Sequence, residues 1–270
     1  MSALRDKDLW IFLNGTRRHW IPTLCSPHNL RIVRLLALDT ATEACSVALW
    51  CDGEVLARFE HAGRTHTQRL APMVDEVLAE AGCTAAQLDG LVCGTGPGSF
   101  AGVRIAVGFV KGLALALDRP VVGVSSLAML AQGAIEAGGK RVLSAIDARM
   151  DEVYFGAFEV DENGLARALA PAMVTAPAQV RVDIPGPWQA TGSGWGRYAE
   201  LLRAGVGAAI ESVDGLALPH AAAGLKLALP EFLAGRADPA DALSPAYLRD
   251  KVALTLDEQQ HLRAGKSAAR

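Results

Sequence analysis

RLLALDTATEACSVALW, residues 34–50, is the stretch of sequence that decides the fold. Its first apolar run, 34–40, is followed after four residues by a second run, 45–51. Asp52-Gly53 is a hairpin dipeptide, and it leads into a third run at 54–61. Three strands with such tight connections predict an antiparallel meander.

Helices and strands alternate downstream of the meander. Residues 66–81 repeat apolar side chains at helical spacing, and a strand at 91–94 leads through a glycine-rich turn into a long apolar helix at 100–117. A strand at 120–124 and a helix to about residue 137 complete the order βββαβαβα. This order predicts an α/β fold with mixed sheets flanked by helices.

A weak internal repeat supports a second, similar unit. LSAID at 143–147 resembles LLALD at 35–39, since each is an apolar run that ends in an acid. Each is followed by a turn and a further strand, at 46–50 in the first case and at 152–160 in the second. The matching context favours duplication of a unit that starts with a hairpin.

The repeat suggests four segments along the chain. Residues 1–33 show no sustained period and are expected to form a poorly ordered extension, derived from an upstream start or a vector. Residues 34–138 are expected to form the N-terminal subdomain, 139–255 a smaller C-terminal subdomain and 256–270 a frayed tail.

Composition limits the classes of function. Hydrophobic residues make up 51% of the 270 residues, which excludes general disorder, and the net charge of -3 argues against a general nucleic-acid binder. The five cysteines include no C-x-x-C pair, so neither a disulfide framework nor a thiolate zinc site is indicated. Arg104 and Lys111 interrupt the most apolar run, and no secretory signal is visible. We therefore expect a cytoplasmic protein without a membrane span.

Two turns could bind phosphate. Asp39-Thr40 ends a strand, where an acid beside a hydroxyl group can hold hydrated magnesium, although such a turn can equally satisfy its own backbone. Asp147 at the mirrored position favours phosphate binding in the ancestry of the fold. The turn 94–99 precedes a helix, and Ser99 is its expected N-cap. That turn has no P-loop lysine, so its glycines are interpreted as allowing a tight connection.

The histidines do not indicate a metal site or a hydrolase. His61 and His66 are five residues apart, whereas two metal ligands on one helical face require a spacing of four. The two side chains are interpreted as capping or solvated groups. Ser99, His66 and Asp39 could be assembled into a triad, but no G-x-S-x-G elbow is present.

The helix at 100–117 is apolar around nearly its whole circumference. It must therefore be buried on more than one side. Either neighbouring helices of the same chain provide this cover, or the helix lies in a subunit interface in which Arg104 and Lys111 pair across it. The periodicity alone leaves both alternatives open.

Several motifs together carry a resemblance to a known family. They are residues 34–50 quoted above, HTQR at 66–69, GPGSFAGVRI at 96–105, AIDARMDEVY at 145–154 and PAYLR at 245–249. In this order they resemble the TsaB family of bacterial proteins, which act in tRNA threonylcarbamoyladenosine biosynthesis. The resemblance implies an actin-like ATPase fold of the sugar kinase, Hsp70 and ribonuclease H-like type, with two subdomains.

The resemblance also implies a supporting role. TsaB proteins are noncatalytic relatives of TsaD, which transfers threonylcarbamoyl to tRNA; they pair with TsaD, or with themselves, through their first two helices. The implied interface residues are Leu70, Met73, Val77, Arg104, Val107, Val110, Lys111 and Leu113. The residues of a possible vestigial phosphate site are Asp39, Thr40, Ser99 and Asp147.

The resemblance places the chemistry on other subunits. TsaE joins the heterodimer, tRNA is bound mainly through the complex, and ATP or ADP and metal belong to the partners, so no catalytic residue, metal or cofactor is expected on this chain. The alternative is a self-contained ATPase or phosphotransferase that uses Asp39 and Asp147. Peptidase activity, suggested by an old family name, is a third hypothesis.

Overall fold

The computed structural model describes residues 10–13, 16–19, 33–51, 53–207 and 209–249. It contains two main sheets. Strands of the first are β3 (Leu35–Asp39), β4 (Ala44–Cys51), β5 (Glu54–His61), β6 (Gly90–Gly96) and β7 (Val121–Ser125). Strands of the second are β8 (Arg141–Asp147), β9 (Val153–Val160), β10 (Ala166–Ala168), β11 (Met173–Thr175), β12 (Trp188–Thr191) and β13 (Ile210–Asp214).

The first sheet confirms the predicted meander. Its order is β5-β4-β3-β6-β7, with β3 antiparallel to β4 and parallel to β6. Leu35 pairs with Trp50 on one side and with Gly90 on the other. All five residues of β3 and all eight of β4 are buried, because helices cover both faces of the sheet.

Five helices surround the sheets in the described part of the chain. They are α1 (His66–Glu80), α2 (Phe100–Leu117), α3 (Ser126–Glu136), α4 (Ser193–Val206) and α5 (Ala221–Leu233). The inward faces of α1 and α2 cover one face of the first sheet, where Leu36, Leu38 and Leu91 share a core with both helices. This arrangement confirms the mixed α/β fold with two subdomains.

The second sheet repeats the hairpin start. Its path is β10-β9-β8-β12-β13, with β11 also paired to β9. β8 is antiparallel to β9 and parallel to β12, as β3 is to β4 and β6. The two runs that resemble each other in sequence thus hold the same position in their sheets.

The predicted boundary at residue 138 needs correction for two helices. α3 lies before that boundary, yet its Leu127, Leu130 and Ile135 pack with Val142 and Phe158 of the second sheet. α5 lies after the boundary, yet its alanine-rich face packs on β3 and β4 of the first sheet. Local periodicity predicts each helix but not the sheet that it covers, so the two subdomains exchange one helix each.

The described residues of the N-terminal extension form two short strands. Two short strands, β1 (Trp10–Leu13) and β2 (Thr16–His19), pair antiparallel, although the sequence there shows no strand period. The remaining residues up to 32 lie outside the described residues, as do Asp52 of the hairpin dipeptide and the predicted tail at 256–270. The origin of the extension stays a prediction.

Candidate functional site

A cavity of about 1000 Å³ lies between the two subdomains. The segments that follow β3 and β8 both border it, and the start of α2 forms one wall. A C-terminal segment at 245–249 crosses its edge. Because equivalent turns of the two repeated units meet here, this cleft is the place where the fold could bind a ligand.

Asp39 lies beneath the cleft and does not line it. Its carboxyl group is fully buried, accepts a hydrogen bond from the Ala41 N–H at 3.1 Å and one from the Ser126 hydroxyl at 3.3 Å. Burial raises the pKa of Asp39 from 3.8 to about 6, and the two hydrogen bonds only partly oppose that shift. Gly94 makes room for this carboxyl, since a Cβ there would overlap it.

The Asp39-Thr40 turn satisfies its own polar groups. Thr40 is fully buried, and its hydroxyl donates to the Gly102 carbonyl oxygen at 2.7 Å. The Ser99 N–H donates to the Ala41 carbonyl at 2.6 Å, while the Ser99 hydroxyl caps α2 by accepting the Gly102 N–H at 3.3 Å. The expected cap at Ser99 is confirmed. Of the four suggested phosphate-binding residues, Ser99 and Asp147 line the cleft, whereas Asp39 and Thr40 do not.

Asp147 is held by two arginines. Its Oδ2 accepts hydrogen bonds from Arg149 and Arg197, each at 2.9 Å. Its backbone N–H donates to the Ser193 hydroxyl at 3.2 Å. The two mirrored acids thus have different environments, because Asp39 is buried with no cation hydrogen-bonded to it among the described residues, and Asp147 is paired with two arginines.

A strained turn follows Asp147. Arg149, Met150 and Asp151 have φ angles of 61°, 54° and 56°, in the left-handed region that side chains rarely adopt. The Asp147 carboxylate accepts the Arg149 N–H at 2.9 Å, and Arg249 donates to the Ala148 carbonyl at 3.1 Å. These bonds hold a conformation that costs on the order of 1–3 kcal/mol per residue.

The C-terminal segment at 240–249 connects both subdomains. On the first, the Ala246 N–H donates to the Thr95 carbonyl at 2.8 Å. On the second, Arg249 forms an ion pair with Glu152. Beside α2, the Arg104 Nε donates to the Tyr247 hydroxyl at 3.0 Å, and its guanidinium lies 3.6 Å from the centroid of the Phe100 ring.

Several predicted interface residues require correction. The side chains of Leu70, Met73, Val77, Val107 and Val110 are buried in the core of their own subunit and therefore cannot meet a partner. They face inward because the sheet, and not a second protein, covers that side of the two helices.

The other three predicted interface residues lie at the edge of α2. The Lys111 ammonium group donates to the Asp241 carbonyl at 2.8 Å, and Arg104 contacts Tyr247, so both engage their own C-terminal segment. The pairing of Arg104 with Lys111 across an interface stays a prediction. Leu113 is half-buried against the core.

The outward face of α2 carries mostly apolar and small residues. α2 has 18 residues, of which 33% are buried, and its exposed stripe is apolar and small. The residues of this stripe are Ala101, Gly108, Gly112, Leu115 and Ala116, with the half-buried Ile105 beside them. By length and composition alone α2 could cross a membrane, but its inward face packs on the first sheet.

No group of three or more potential metal ligands occurs among the described residues. His66 is buried, and its Nε2 donates to the carbonyls of Thr42 at 3.0 Å and Ala44 at 3.2 Å. The expectation that both histidines are capping or solvated groups is therefore wrong for His66, while His61 is exposed. Cys45 and Cys93 are buried, and burial raises the pKa of the Cys45 thiol to about 11.

Sequence reasoning missed several residues of the cleft. Phe100, Arg197, Tyr247 and Arg249 all line it. The PAYLR motif is visible in the sequence, but its place in the fold depends on contacts with segments about 100 or more residues away. Arg197 lies near the start of α4, after the glycine-rich stretch 192–196, and that stretch gives no indication of its approach to Asp147.

Comparison with known proteins agrees with this architecture. The family model of TsaD, tRNA N6-adenosine threonylcarbamoyltransferase, matches residues 59–230. A crystal structure of an uncharacterized protein with similarity to peptidase YEAZ, from Pseudomonas aeruginosa, superimposes with a TM-score of 0.76 at 45% identity. It covers 80% of this chain and 100% of that one. The two sheets with their flanking helices therefore define a TsaD-like protein with an actin-like fold.

Individual curated relatives identify the family more narrowly than the family model does. The tRNA threonylcarbamoyladenosine biosynthesis protein TsaB of Escherichia coli strain K12 is 43% identical, over 82% of this chain and 96% of the relative. The protein of the same name from Haemophilus influenzae is 40% identical, over 81% and 94%. The chain belongs to the TsaB family.

Proposed function

We propose that this chain is a noncatalytic subunit that binds TsaD and makes it competent for tRNA modification. The modification is transfer of threonylcarbamoyl to the adenosine next to the anticodon, in tRNAs that read codons beginning with adenine. Support comes from relatives named for threonylcarbamoyladenosine biosynthesis and from the match to the TsaD family model.

The exposed stripe on α2 is the observation that carries the proposal. A helix with 18 residues and a mean hydropathy of 1.8 is only 33% buried in this subunit. A Cβ at Gly108 or Gly112 would meet no atom within 4 Å, so the helix axis is open to close approach by another helix. Burying an apolar stripe against a partner stabilises the complex by roughly 25 cal/mol per Å² removed from water.

The alternative catalytic functions have less support. An ATPase that used Asp39 would need its carboxylate in the cleft, but the group is fully buried and hydrogen-bonded to Ser126. A peptidase relay would need His66 between an acid and a serine, but its Nε2 donates to two backbone carbonyls. Steady ATP turnover by the purified chain, lost on Asp39→Ala, would reverse this judgement.

The proposal includes the partners and the compartment. TsaE joins the heterodimer, ATP or ADP and metal are held by the partners, and the chain forms a homodimer when TsaD is absent. tRNA is bound mainly by the complex, and the complex works in the cytoplasm. Each statement can be tested by reconstitution with purified components.

The central test is co-purification of tagged TsaD with this chain, followed by a tRNA modification assay with and without it. We expect one heterodimer peak on gel filtration and modification only when both are present. Modification by TsaD alone at the same rate, or by this chain alone, would contradict the proposal.

A matched pair of variants localises the interface. Gly108→Arg places a long cation in the stripe and should reduce TsaD binding at least about tenfold, because the charge loses water in an apolar contact. Gly133→Arg on α3 is the control, since Gly133 is also exposed on a helix with no atom within 4 Å of a Cβ. Isothermal calorimetry should show wild-type affinity for the control. Equal affinities of the two variants for TsaD would show that α2 is not part of the interface.

A further inference from the structure

The mouth of the cleft combines guanidinium groups with exposed aromatic rings. We define the cleft mouth by five side chains that line the cavity: Arg64, Phe100, Arg149, Arg197 and Tyr247. We propose that the cleft mouth binds single-stranded RNA, with phosphates on the arginines and an unstacked base on the rings. This inference rests on the proposed function and assigns to this chain a contact of its own.

The arginine pair has more positive charge than its acid can balance. Arg149 and Arg197 donate to the same oxygen of Asp147, so one carboxylate serves two guanidinium groups. Their side chains are 79% and 50% exposed. Each guanidinium has five N–H donors, and those not used on Asp147 can meet phosphate oxygens. Asp147 thereby fixes two cations at the rim of the cleft.

The lining as a whole is positive. Among the described residues that line the cavity are four arginines and two carboxylates, Glu43 and Asp147, although the whole chain has a net charge of -3. Arg249 is paired with Glu152, and the neighbouring Asp151 also acts on Arg197. What the cleft mouth offers an anion is therefore a set of exposed guanidinium donors that its carboxylates do not fully use. A local positive site on an acidic protein selects an anionic ligand at that place without attracting nucleic acid generally.

The rings form a preformed platform. Phe100 is 48% exposed and Tyr247 is 54% exposed, with ring centroids 6.3 Å apart. Arg104 fixes both, since it stacks on Phe100 and donates to the Tyr247 hydroxyl. Stacking of a base on such a ring is worth about 1–3 kcal/mol.

The arrangement favours a single strand over a duplex. Two of the arginines, Arg149 and Arg197, lie on the second subdomain, and Arg64 lies on the first. The rings lie on α2 and on the C-terminal segment, so a ligand must present backbone and base faces together. Paired bases in a duplex are stacked on one another and cannot reach the rings. A flexible strand with splayed bases meets both requirements.

The test measures fluorescence anisotropy of a labelled, mixed-sequence RNA of about 12 nucleotides with the full-length chain. The double variant Arg149→Gln/Arg197→Gln should weaken binding about tenfold. It should also make the negative slope of log affinity against log salt shallower by about 1.4, since each lost phosphate contact removes about 0.7. The control is Arg167→Gln, because Arg167 is 61% exposed and pairs with Glu159 on the same sheet, away from the cavity. The control should bind like wild type.

A second set of variants tests the platform. Tyr247→Ala should weaken RNA binding about fivefold or more, whereas Tyr247→Phe keeps the ring and should retain most of the affinity. Leu216→Ala is the control, since Leu216 is 89% exposed and lies outside the cleft. A thermal melt of each variant confirms that it is folded.

Three results would overturn the proposal. They are no RNA binding by the wild type, equal losses in the cleft and control variants, or displacement of RNA by ATP or inorganic phosphate at micromolar concentration, which would indicate a mononucleotide site. Co-purification with TsaD is measured separately on the same variants. A wild-type chain that binds TsaD but not RNA would contradict the cleft-mouth proposal alone. A wild-type chain that binds RNA but not TsaD would contradict the proposed function alone.

Discussion

Asp39 and Asp147 occupy mirrored positions in the two repeated units, yet their environments are opposite. Asp39 is buried beside Ser126, and in the described part of the chain no cation donates to it, while Asp147 is shared by two arginines. The sequence predicts the mirrored strand ends correctly. It could not predict the difference, because Ser126 and Arg197 reach the two acids from distant parts of the chain.

The buried carboxyl makes stability depend on pH. The pKa of Asp39 is about 6 in the folded chain and ordinarily 3.8, so the folded state binds the proton more tightly. The stabilisation that comes from the proton on Asp39 is therefore complete below about pH 4 and is lost as the pH rises through 6. The loss by pH 7.5 is on the order of 3 kcal/mol, at 1.36 kcal/mol per pKa unit.

Asp39→Asn should remove this dependence. We expect the variant to exceed the wild type in unfolding free energy by roughly 2–3 kcal/mol at pH 7.5 and to match it near pH 4, since Asn is neutral at both. Urea denaturation at the two pH values measures the difference. Asp75→Asn on the exposed face of α1 is the control. A variant less stable than the wild type at pH 7.5 would show that ionised Asp39 is not a cost.

At the scale of elements, periodicity predicts the helices but not which face of each helix is buried. α2 is apolar on nearly all sides, and the interface implied by the family resemblance included Val110 but not Gly108. In the structure Val110 is fully buried and Gly108 is exposed. The glycines of α2 indicate the interface face better than its valines do, because small residues on an exposed helical face leave space for a neighbouring helix.

An ion pair links the two exchanged helices. Lys226 on α5 lies 2.8 Å from Glu136 on α3, and its side chain is only 6% exposed. Lys226→Met leaves Glu136 without this cation and should lower the unfolding free energy by about 3 kcal/mol. Arg236→Met breaks the exposed pair with Glu231 and should cost roughly 0–1 kcal/mol. Urea denaturation compares them, and equal losses would mean that the buried pair does not couple the helices.

At the scale of the whole molecule, the exchange of α3 and α5 ties the two halves together. The alanine-rich face of α5 covers β3 and β4, so the first sheet lacks one of its covers without residues 221–233. A fragment that ends at residue 138 should therefore show no cooperative thermal transition, whereas the full chain should show one. Circular dichroism during heating measures this. A cooperative melt of the fragment would show that the N-terminal half is an independent domain.

The same exchange sets an order for synthesis. A growing polypeptide makes the strands of the first sheet early, but the helix that covers them is translated about 100 residues after the last of these strands. Until then Leu35, Ala37 and Trp50 remain open to water and to other nascent chains. The first sheet can thus be completed only after α5 has been translated, and termination anywhere before α5 would yield a product with exposed apolar side chains that needs a chaperone or a protease.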